Sequence, residues 1–241
     1  MSGGEGLKGC EAIVLAGGKG TRIRGVLGAT PKLLAPVGDR RYLDILLDWL
    51  AGFGIARVVF ALGVGADQVI AALKEHETPM ACDWVVEETP LGTAGALRLA
   101  LAETDADPVL ALNGDSWTDA DLTAFANDFR LSQAAFGLLC LEVEDCGRFG
   151  SIEINPARRI TAFREKNPDS HEPGLINGGL YLIGADGRQA LLNTSGPSLE
   201  HDFLAKAAPG ALYGHVAAGA QFIDIGTPES LRLADQVIRP D

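Results

Sequence analysis

The chain has few cysteines and lacks both a long apolar run and an excess of positive charge. Its four cysteines, at 10, 82, 140 and 146, show no CxxC pair and no histidine at metal-ligand spacing, which predicts free thiols and argues against a zinc site. No stretch approaches the roughly 18 apolar residues of a membrane span. Residues 1–9 lack the apolar core of a signal peptide. We therefore expect a cytoplasmic protein with no membrane partner.

The charge balance narrows the classes of partner further. Lys and Arg number 20 against 32 Asp and Glu, so the formal net charge is −12. Nucleic acids and anionic membranes need a basic face, and neither is expected as a partner. The 241 residues are 47% hydrophobic, which is enough to fill one large core, and no repeat or linker divides them. We predict a single domain over 1–241 that concentrates its few cations in one cleft if it binds a polyanion.

Apolar strands alternate with amphipathic helices through the first half of the chain. The predicted strands cover 13–16, 57–62, 84–87 and 109–112, and the predicted helices cover 42–53, 67–74 and 94–102. Such alternation is typical of a doubly wound parallel sheet, which binds ligands outside the carboxyl ends of its strands. We therefore predict an α/β fold with a Rossmann-like, doubly wound sheet.

The pattern changes at about residue 131 to strands with a period of two and tight turns. A hairpin is predicted over 151–160, turning at Asn155-Pro156, and a further strand over 178–183. Helices are predicted at 188–192, 199–206 and 230–238. We expect a mixed-sheet half over about 131–241 that continues the half over about 8–130.

A glycine-rich loop follows the first predicted strand. Gly17, Gly18 and Gly20 allow a sharp turn and let backbone N–H groups approach an anion. A Walker loop would need the string GxxxxGK[ST], which is absent, and a dinucleotide fingerprint would need a glycine in place of Ile23. The sequence favours a phosphate-binding loop, with a plain strand-to-helix turn as the alternative.

Two cations follow this loop. Arg22 comes directly after it, and Lys32 follows Pro31. Proline disfavours a helical conformation for the residue before it, so we expect Lys32 to project from a loop instead of a helix. These two side chains are the predicted ligands of a triphosphate, where they would stabilise the charge that develops on a leaving group.

The strings GGKGTR at 17–22 and PKLLAP at 31–36 resemble the signature of the sugar-1-phosphate nucleotidyltransferases. The family form is GGxGTRL followed by PKPL or PKPM, and here Leu33 replaces the proline while the lysine is kept. Further matching strings occur in family order, namely EETPLGTAGAL at 87–97, LNGDSWTD at 112–119, RFGSIEI at 148–154, FREK at 163–166, INGGLYL at 176–182 and FIDIGTPE at 222–229. The resemblance covers nearly the whole chain. It implies a GT-A-like nucleotidyltransferase fold that joins a nucleotide to a sugar 1-phosphate.

A divalent metal is expected for this chemistry. A nucleoside triphosphate and a sugar phosphate bring about six negative charges together, and Mg²⁺ usually takes one or two carboxylates plus phosphate and water oxygens. Asp115 follows a predicted strand, and Asp224 lies between two isoleucines, where an unpartnered acid is costly to bury. The resemblance implies that these two aspartates bind Mg²⁺. A helix cap is the alternative for Asp115.

The resemblance also implies two sets of substrate contacts. The predicted nucleotide-binding positions follow the first and third strands and are Leu15, Ala16, Gly17, Gly18, Gly20, Thr21, Glu87, Gly92 and Thr93. The predicted sugar-phosphate positions are Gly150, Glu165, Lys166, Asn177 and Gly178. Lys166 is expected to bind the phosphate as a catalytic cation beside Arg22 and Lys32, and Glu165 to bind a sugar hydroxyl. For the FREK string the alternative is a solvated, charged strand end.

The nucleotide and the sugar are predicted less directly. A carboxylate after the third strand can accept hydrogen bonds from both N–H donors of guanine, so Glu87 favours GTP, whereas uracil usually prefers an amide. Some uridylyltransferases are also acidic at this place, which keeps UTP open. The strings SLEHDFL at 198–204 and FIDIGTPESL at 222–231 look most like those of D-glycero-α-D-manno-heptose 1-phosphate guanylyltransferases, which make GDP-heptose for surface polysaccharides.

Other activities stay open at this stage. They are a mannose 1-phosphate guanylyltransferase, a UTP-dependent N-acetylmuramate or hexose 1-phosphate uridylyltransferase, and a non-catalytic nucleotide-sugar sensor. Relatives are often dimers or tetramers, so a homo-oligomer is compatible with the resemblance, although no interface stripe is visible in the sequence.

Overall fold

One large mixed β-sheet with helices on both faces organises the chain. The computed structural model describes residues 6–147, 149–164, 167, 169 and 171–238. In these ranges the strands are β1 Glu11–Ala16, β2 Pro36–Val37, β3 Arg40–Arg41, β4 Arg57–Leu62, β5 Ala81–Val86, β6 Val109–Asn113, β7 Ser116–Thr118, β8 Phe136–Val143, β9 Ser151–Ile154, β10 Ile160–Arg164, β11 Gly174–Ile183, β12 Leu212–Ala217 and β13 Phe222–Asp224. The helices are α1 Arg24–Leu27, α2 Tyr42–Gly52, α3 Ala66–Glu75, α4 Gly92–Leu101, α5 Leu122–Ser132, α6 Ala185–Leu192 and α7 Pro228–Val237.

The sheet joins the two predicted halves without a break. Its main path runs β10-β9-β11-β6-β1-β4-β5, and β8 and β12 extend it from β11. Strands β5, β4, β1 and β6 are mutually parallel, as the alternating pattern predicts. Strand β11 is antiparallel to β6 and to β8, while β12 runs parallel to β8. The second half is therefore the mixed part of the same sheet.

The core lies on both faces of this sheet. Along β1, Val14 packs into one buried cluster with α2 and α5, while its neighbour Ile13 packs into another with α4. Both side chains are completely buried. A strand that is covered on both faces carries apolar residues at successive positions. This pattern is why β1 and β4 can be recognised from the sequence alone.

Most predicted elements lie within a few residues of their predicted bounds, and β4 matches them at both ends. The hairpin of β9 and β10 is also confirmed. The prediction that Lys32 projects from a loop is wrong, because a short 3-10 helix spans Lys32–Leu34 and is anchored by the buried side chain of Leu33. The helix predicted over 199–206 is a π-helical turn, Leu199–Phe203, followed by a 3-10 turn, Leu204–Lys206.

All four cysteines are free thiols, as the sequence predicts. Burial raises the pKa of the Cys140 thiol to about 12, so this side chain stays protonated and chemically inert at neutral pH. In the part of the chain that the structure describes, no helix combines the length and the apolar character needed to cross a bilayer.

Gly187 in α6 offers a stability test of the packing beside β8. A methyl group built on Gly187 would lie 3.0 Å from the carbonyl carbon of Ala135 and closer still to its oxygen. We expect Gly187→Ala to lower the free energy of unfolding by about 1–3 kcal/mol, because backbone atoms must move apart. Urea denaturation measures this. Gly52→Ala, at the end of α2 with open space around it, is the control, and equal effects of both substitutions would contradict the packing argument.

Candidate active site

A cavity of about 570 Å³ opens at the carboxyl ends of the parallel strands β1, β5 and β6. This is the edge at which doubly wound sheets bind ligands. Seven of the predicted nucleotide-binding residues line it, namely Leu15, Ala16, Gly17, Gly18, Glu87, Gly92 and Thr93. Both predicted triphosphate cations, both predicted metal aspartates and the predicted sugar-binding Asn177 also line it. The structure thus brings residues from widely separated motifs into one space.

Gly17, the first residue of the glycine loop after β1, has no room for a side chain. A methyl group on Gly17 would lie 2.9 Å from the carboxyl carbon of Glu87, and one on Gly63 would lie 2.6 Å from the carbonyl oxygen of Gly17. Glu87 is held from the other side, because its Oε2 accepts a hydrogen bond from the backbone N–H of Leu91 at 2.9 Å. The loop therefore fixes the position of the Glu87 carboxylate.

Asp115 lies in the turn between β6 and β7, which is held by three hydrogen bonds. Gly114 donates its N–H to the carbonyl of Leu15 at 2.8 Å, and the Tyr42 hydroxyl donates to the carbonyl of Ser116 at 2.7 Å. Burial raises the pKa of Tyr42 well above its usual value, so the hydroxyl remains a donor. The Asp115 carbonyl accepts the N–H of Ile225 at 2.8 Å.

The helix-cap alternative for Asp115 is excluded. The next helix, α5, begins at Leu122, and its N-terminal N–H groups bond the side chain of Asp121. Asp115 instead directs its carboxylate to Lys32, whose Nζ lies 2.6 Å from Oδ2. The pair is partly buried, with about a fifth of the Lys32 side chain exposed.

Asp224 stands beside this pair. Strand β13 pairs with β7 so that Asp224 lies opposite Ser116, directly after Asp115 in the chain. Its Oδ1 accepts the backbone N–H of Gly226 at 2.6 Å. A methyl group built on Gly226 would lie 2.5 Å from Asp224 Oδ1, 3.4 Å from Arg22 Nη2 and 3.5 Å from Lys32 Nζ. We call Arg22, Lys32, Asp115 and Asp224 the acid–base cluster, because two cations and two carboxylates meet within it.

The two carboxylates fit a magnesium ion. Among the residues that the structure describes, no group of three His, Cys, Asp or Glu side chains could enclose a metal. Mg²⁺ does not require one, since it usually takes one or two carboxylates and fills its other positions with water and phosphate oxygens. The pairing of β13 with β7 places Asp115 and Asp224 on neighbouring backbone segments, and both residues border the cavity. This donor set suits an ion that arrives with phosphate.

A second polar group borders the cavity on β11 and the π-helical turn. Asn177 donates one amide N–H to the Tyr181 hydroxyl at 2.9 Å and another to Glu200 Oε1 at 3.1 Å. Its Oδ1 accepts the backbone N–H of Gly179 at 3.0 Å. Burial and the nearby Glu200 carboxylate raise the pKa of Tyr181 out of the physiological range, so its hydroxyl stays neutral. Asn177, Tyr181 and Glu200 form what we call the amide network.

Four predicted site residues that the structure describes do not line the cavity, namely Gly20, Thr21, Gly150 and Gly178. Thr21 is exposed, and Gly20 lies beside the aliphatic part of Lys32. Gly150 bonds the carbonyl of Cys146 through its N–H, and Gly178 packs against β8. Their predicted contacts stay predictions. Glu165 and Lys166 lie outside the described residues.

Several cavity residues escaped the sequence analysis, namely Lys19, Asn113, Phe149, Glu200 and Phe222. Lys19 lies within the glycine loop, and its positive charge could have identified it as a phosphate ligand from the sequence. Phe149 and Phe222 form an edge-to-face pair with ring centres 6.1 Å apart, from segments more than 70 residues apart in the chain. No local pattern could have joined them.

Comparisons with known proteins identify the family of this chain. The model of the family described as Nucleotidyl transferase matches residues 11–239. The chain belongs to the nucleotidyl transferase family. The predicted family and fold class are thereby confirmed. Members of this family generally use a divalent metal, which agrees with the two carboxylates at the cavity.

Individual relatives of this nucleotidyl transferase match over most of its length. The D-glycero-α-D-manno-heptose 1-phosphate guanylyltransferase of Aneurinibacillus thermoaerophilus is 30% identical over 230 residues, which are 95% of this chain and 98% of that one. The mannose-1-phosphate guanylyltransferase of Mycobacterium tuberculosis is also 30% identical, but the match covers 91% of this chain and 62% of that protein. The crystal structure of HddC from Yersinia pseudotuberculosis complexed with GMP-PN superposes with a TM-score of 0.83 at 28% identity, covering 95% of this chain and all of that one.

Proposed function

We propose that this nucleotidyl transferase transfers GMP from GTP to D-glycero-α-D-manno-heptose 1-phosphate, giving GDP-heptose and pyrophosphate. The observation that carries the proposal is the acid–base cluster on the wall of one cavity, in a chain that matches a heptose 1-phosphate guanylyltransferase almost end to end. The mannose enzyme supports the guanine nucleotide equally well, but it is a longer protein, so the heptose substrate is preferred.

The nucleophile needs no general base. A phosphomonoester has a second pKa near 6, so the sugar phosphate is largely a dianion at neutral pH. One of its oxygens attacks the α-phosphorus of GTP, a new P–O bond forms, and the bond to the β-phosphate oxygen breaks as pyrophosphate leaves. Catalysis is then a matter of positioning and of stabilising charge.

Arg22 and Lys32 stabilise the departing pyrophosphate in this proposal. Their charged groups both lie within 3.5 Å of the methyl position built on Gly226, at the cavity wall. The glycine loop would supply backbone N–H groups to the same phosphates. Asp115 and Asp224 would hold Mg²⁺, which neutralises phosphate charge when bound. Lys166 is assigned to the phosphate of the sugar and Glu165 to a sugar hydroxyl on the family resemblance.

Pyrophosphate release measures this function directly. Purified protein with Mg²⁺ is given GTP, UTP, CTP, ATP or dTTP together with heptose, mannose, glucose or N-acetylmuramic acid 1-phosphate. We expect release with GTP and the heptose 1-phosphate, and none when the sugar phosphate is omitted. Faster release with mannose 1-phosphate would change the sugar, release with UTP would change the nucleotide, and no release with any pair would favour a non-catalytic sensor.

Glu87 is the proposed acceptor for guanine. We expect Glu87→Gln to lower kcat/KM for GTP about 10- to 100-fold, because the amide keeps one acceptor oxygen and would turn its N–H₂ toward the other N–H donor of guanine. Any release with UTP should change little. Steady-state kinetics with each nucleotide give the comparison, and Glu88→Gln, at an exposed neighbour that does not line the cavity, is the control. Equal losses with GTP and UTP would remove Glu87 from base recognition.

A further inference from the structure

Asn177 cannot offer an amide N–H to a ligand. A side-chain amide has two N–H donors and one carbonyl oxygen. The oxygen is identified by the backbone N–H of Gly179, which must bond an acceptor, so the nitrogen faces Tyr181 and Glu200. Both N–H groups are then used, at 2.9 Å and 3.1 Å. Asn177 borders the cavity, but its polar hydrogens serve the amide network.

Unlike Asn177, Glu200 has hydrogen-bonding capacity that the amide network does not use. Its Oε1 accepts from Asn177, and within the described parts of the chain its Oε2 accepts no hydrogen bond. The residue is exposed and lines the cavity. A carboxylate accepts up to about four hydrogen bonds and donates none. A ligand that displaces water from Glu200 must therefore bring hydrogen-bond donors.

The π-helical turn holds Glu200 in place. Its neighbour Leu199 is buried, as is Phe203 at the end of the turn, where the ring packs against Phe136 with centres 5.2 Å apart. The backbone N–H of Leu199 also bonds Thr93 Oγ1, at 2.9 Å, on the first turn of α4. Such π-helical turns occur often at functional sites. The backbone that carries the Glu200 carboxylate is thus held by buried residues before and after it, Leu199 and Phe203.

We propose that Glu200 accepts hydrogen bonds from hydroxyl groups of the sugar, and that Asn177 positions this carboxylate instead of donating to the sugar. A carboxylate repels phosphate, so the group it recognises is the neutral, hydroxyl-bearing part of the substrate. Glu200 is then a determinant of sugar specificity that the sequence analysis did not select. This inference rests on the proposed function, since it assumes a sugar 1-phosphate as ligand.

Steady-state kinetics of Glu200→Gln test the proposal. We expect kcat/KM for the sugar 1-phosphate to fall about 10- to 100-fold, mainly through KM, while KM for GTP stays within about twofold of its original value. Asn177→Asp, which removes both N–H donors, should change the same parameter in the same direction by a smaller factor. Glu77→Gln, at an exposed residue that does not line the cavity, should change neither parameter. Thermal unfolding confirms that the variants are folded.

Deoxygenated substrates separate a direct contact from a structural effect. Mannose 1-phosphate and its singly deoxygenated forms are compared on the original protein and on Glu200→Gln. If Glu200 bonds a hydroxyl, removing that hydroxyl lowers kcat/KM on the original protein but causes no further loss on the variant. The same penalty in both proteins for every hydroxyl would overturn the proposal.

Calorimetric binding of the same sugar phosphates keeps the two proposals distinguishable. If no sugar phosphate supports pyrophosphate release, but binding weakens in Glu200→Gln, the proposed reaction fails and the role of Glu200 stands. If turnover occurs, but binding and kinetics of the variant are unchanged, the reaction stands and the role of Glu200 fails. If neither protein binds any sugar phosphate and none supports pyrophosphate release, both proposals are overturned.

Discussion

Asp115→Asn is expected to lower turnover by about 10²- to 10³-fold while leaving the protein folded. Asparagine keeps the shape of the side chain and removes the charge that would hold Mg²⁺. The turn around it is held by other bonds, from Tyr42 to Ser116 and from Gly114 to Leu15, so the backbone should not move. Pyrophosphate release at saturating substrates gives the loss.

Asp235→Asn is the matched control for this substitution, because Asp235 is an exposed aspartate on α7 that does not line the cavity. Circular dichroism and urea denaturation of both variants check the fold. Near-normal turnover in Asp115→Asn would remove Asp115 from the metal site. A loss of turnover that is matched by Asp235→Asn would indicate a general effect of lowered negative charge.

Lys32→Met should affect turnover and metal binding in opposite directions. Turnover should fall about 10²-fold or more, because a cation that stabilises the leaving pyrophosphate is lost. The affinity of the nucleotide-free protein for Mn²⁺ should rise about tenfold, because the Lys32 ammonium lies 2.6 Å from Asp115 Oδ2 and competes with a metal for that carboxylate. Methionine keeps the length of the side chain without its charge.

Electron paramagnetic resonance of free Mn²⁺ measures this affinity without any turnover. Lys8→Met, at an exposed lysine that does not line the cavity, is the control and should leave Mn²⁺ binding unchanged. Weaker Mn²⁺ binding in Lys32→Met would show that Lys32 supports the metal site instead of competing with it. Unchanged binding would mean that Asp115 does not hold the ion in the nucleotide-free protein.

Strands β1, β4 and β6 could be predicted because their central residues are buried. After the charged residues that open them, Glu11 and Arg57, β1 and β4 are apolar runs, and α2 shows clear helical spacing. β7 and β13 could not be predicted, because a strand of three residues carries too little periodicity to recognise. Their pairing joins segments more than 100 residues apart in the chain. It is this pairing that brings Asp224 beside Asp115.

The residues of the candidate site show the same difference between local motifs and distant contacts. Residues in contiguous motifs, such as Gly17 and Arg22, could be selected from local strings. Glu200 could not, although its string SLEHDFL resembles the family, because its place depends on Asn177, which lies on β11 and 23 residues earlier in the chain. The short helix at Lys32 was missed because three residues after a proline do not display helical spacing. Local patterns identify loops, whereas contacts across the sheet decide which side chains meet.

The pairing of β11 with β6 sets the separation of two walls of the cavity. The antiparallel register aligns Leu180 with Leu112, and at the cavity end Gly179 packs so tightly on Asn113 that a methyl group there would lie 2.6 Å from its amide nitrogen. Neighbouring strands lie about 4.8 Å apart, a spacing fixed by backbone hydrogen bonds. The spacing between the cavity residues Asn113 on β6 and Asn177 on β11 is then a property of the backbone. Side chains and loops around the cavity can be replaced without changing it.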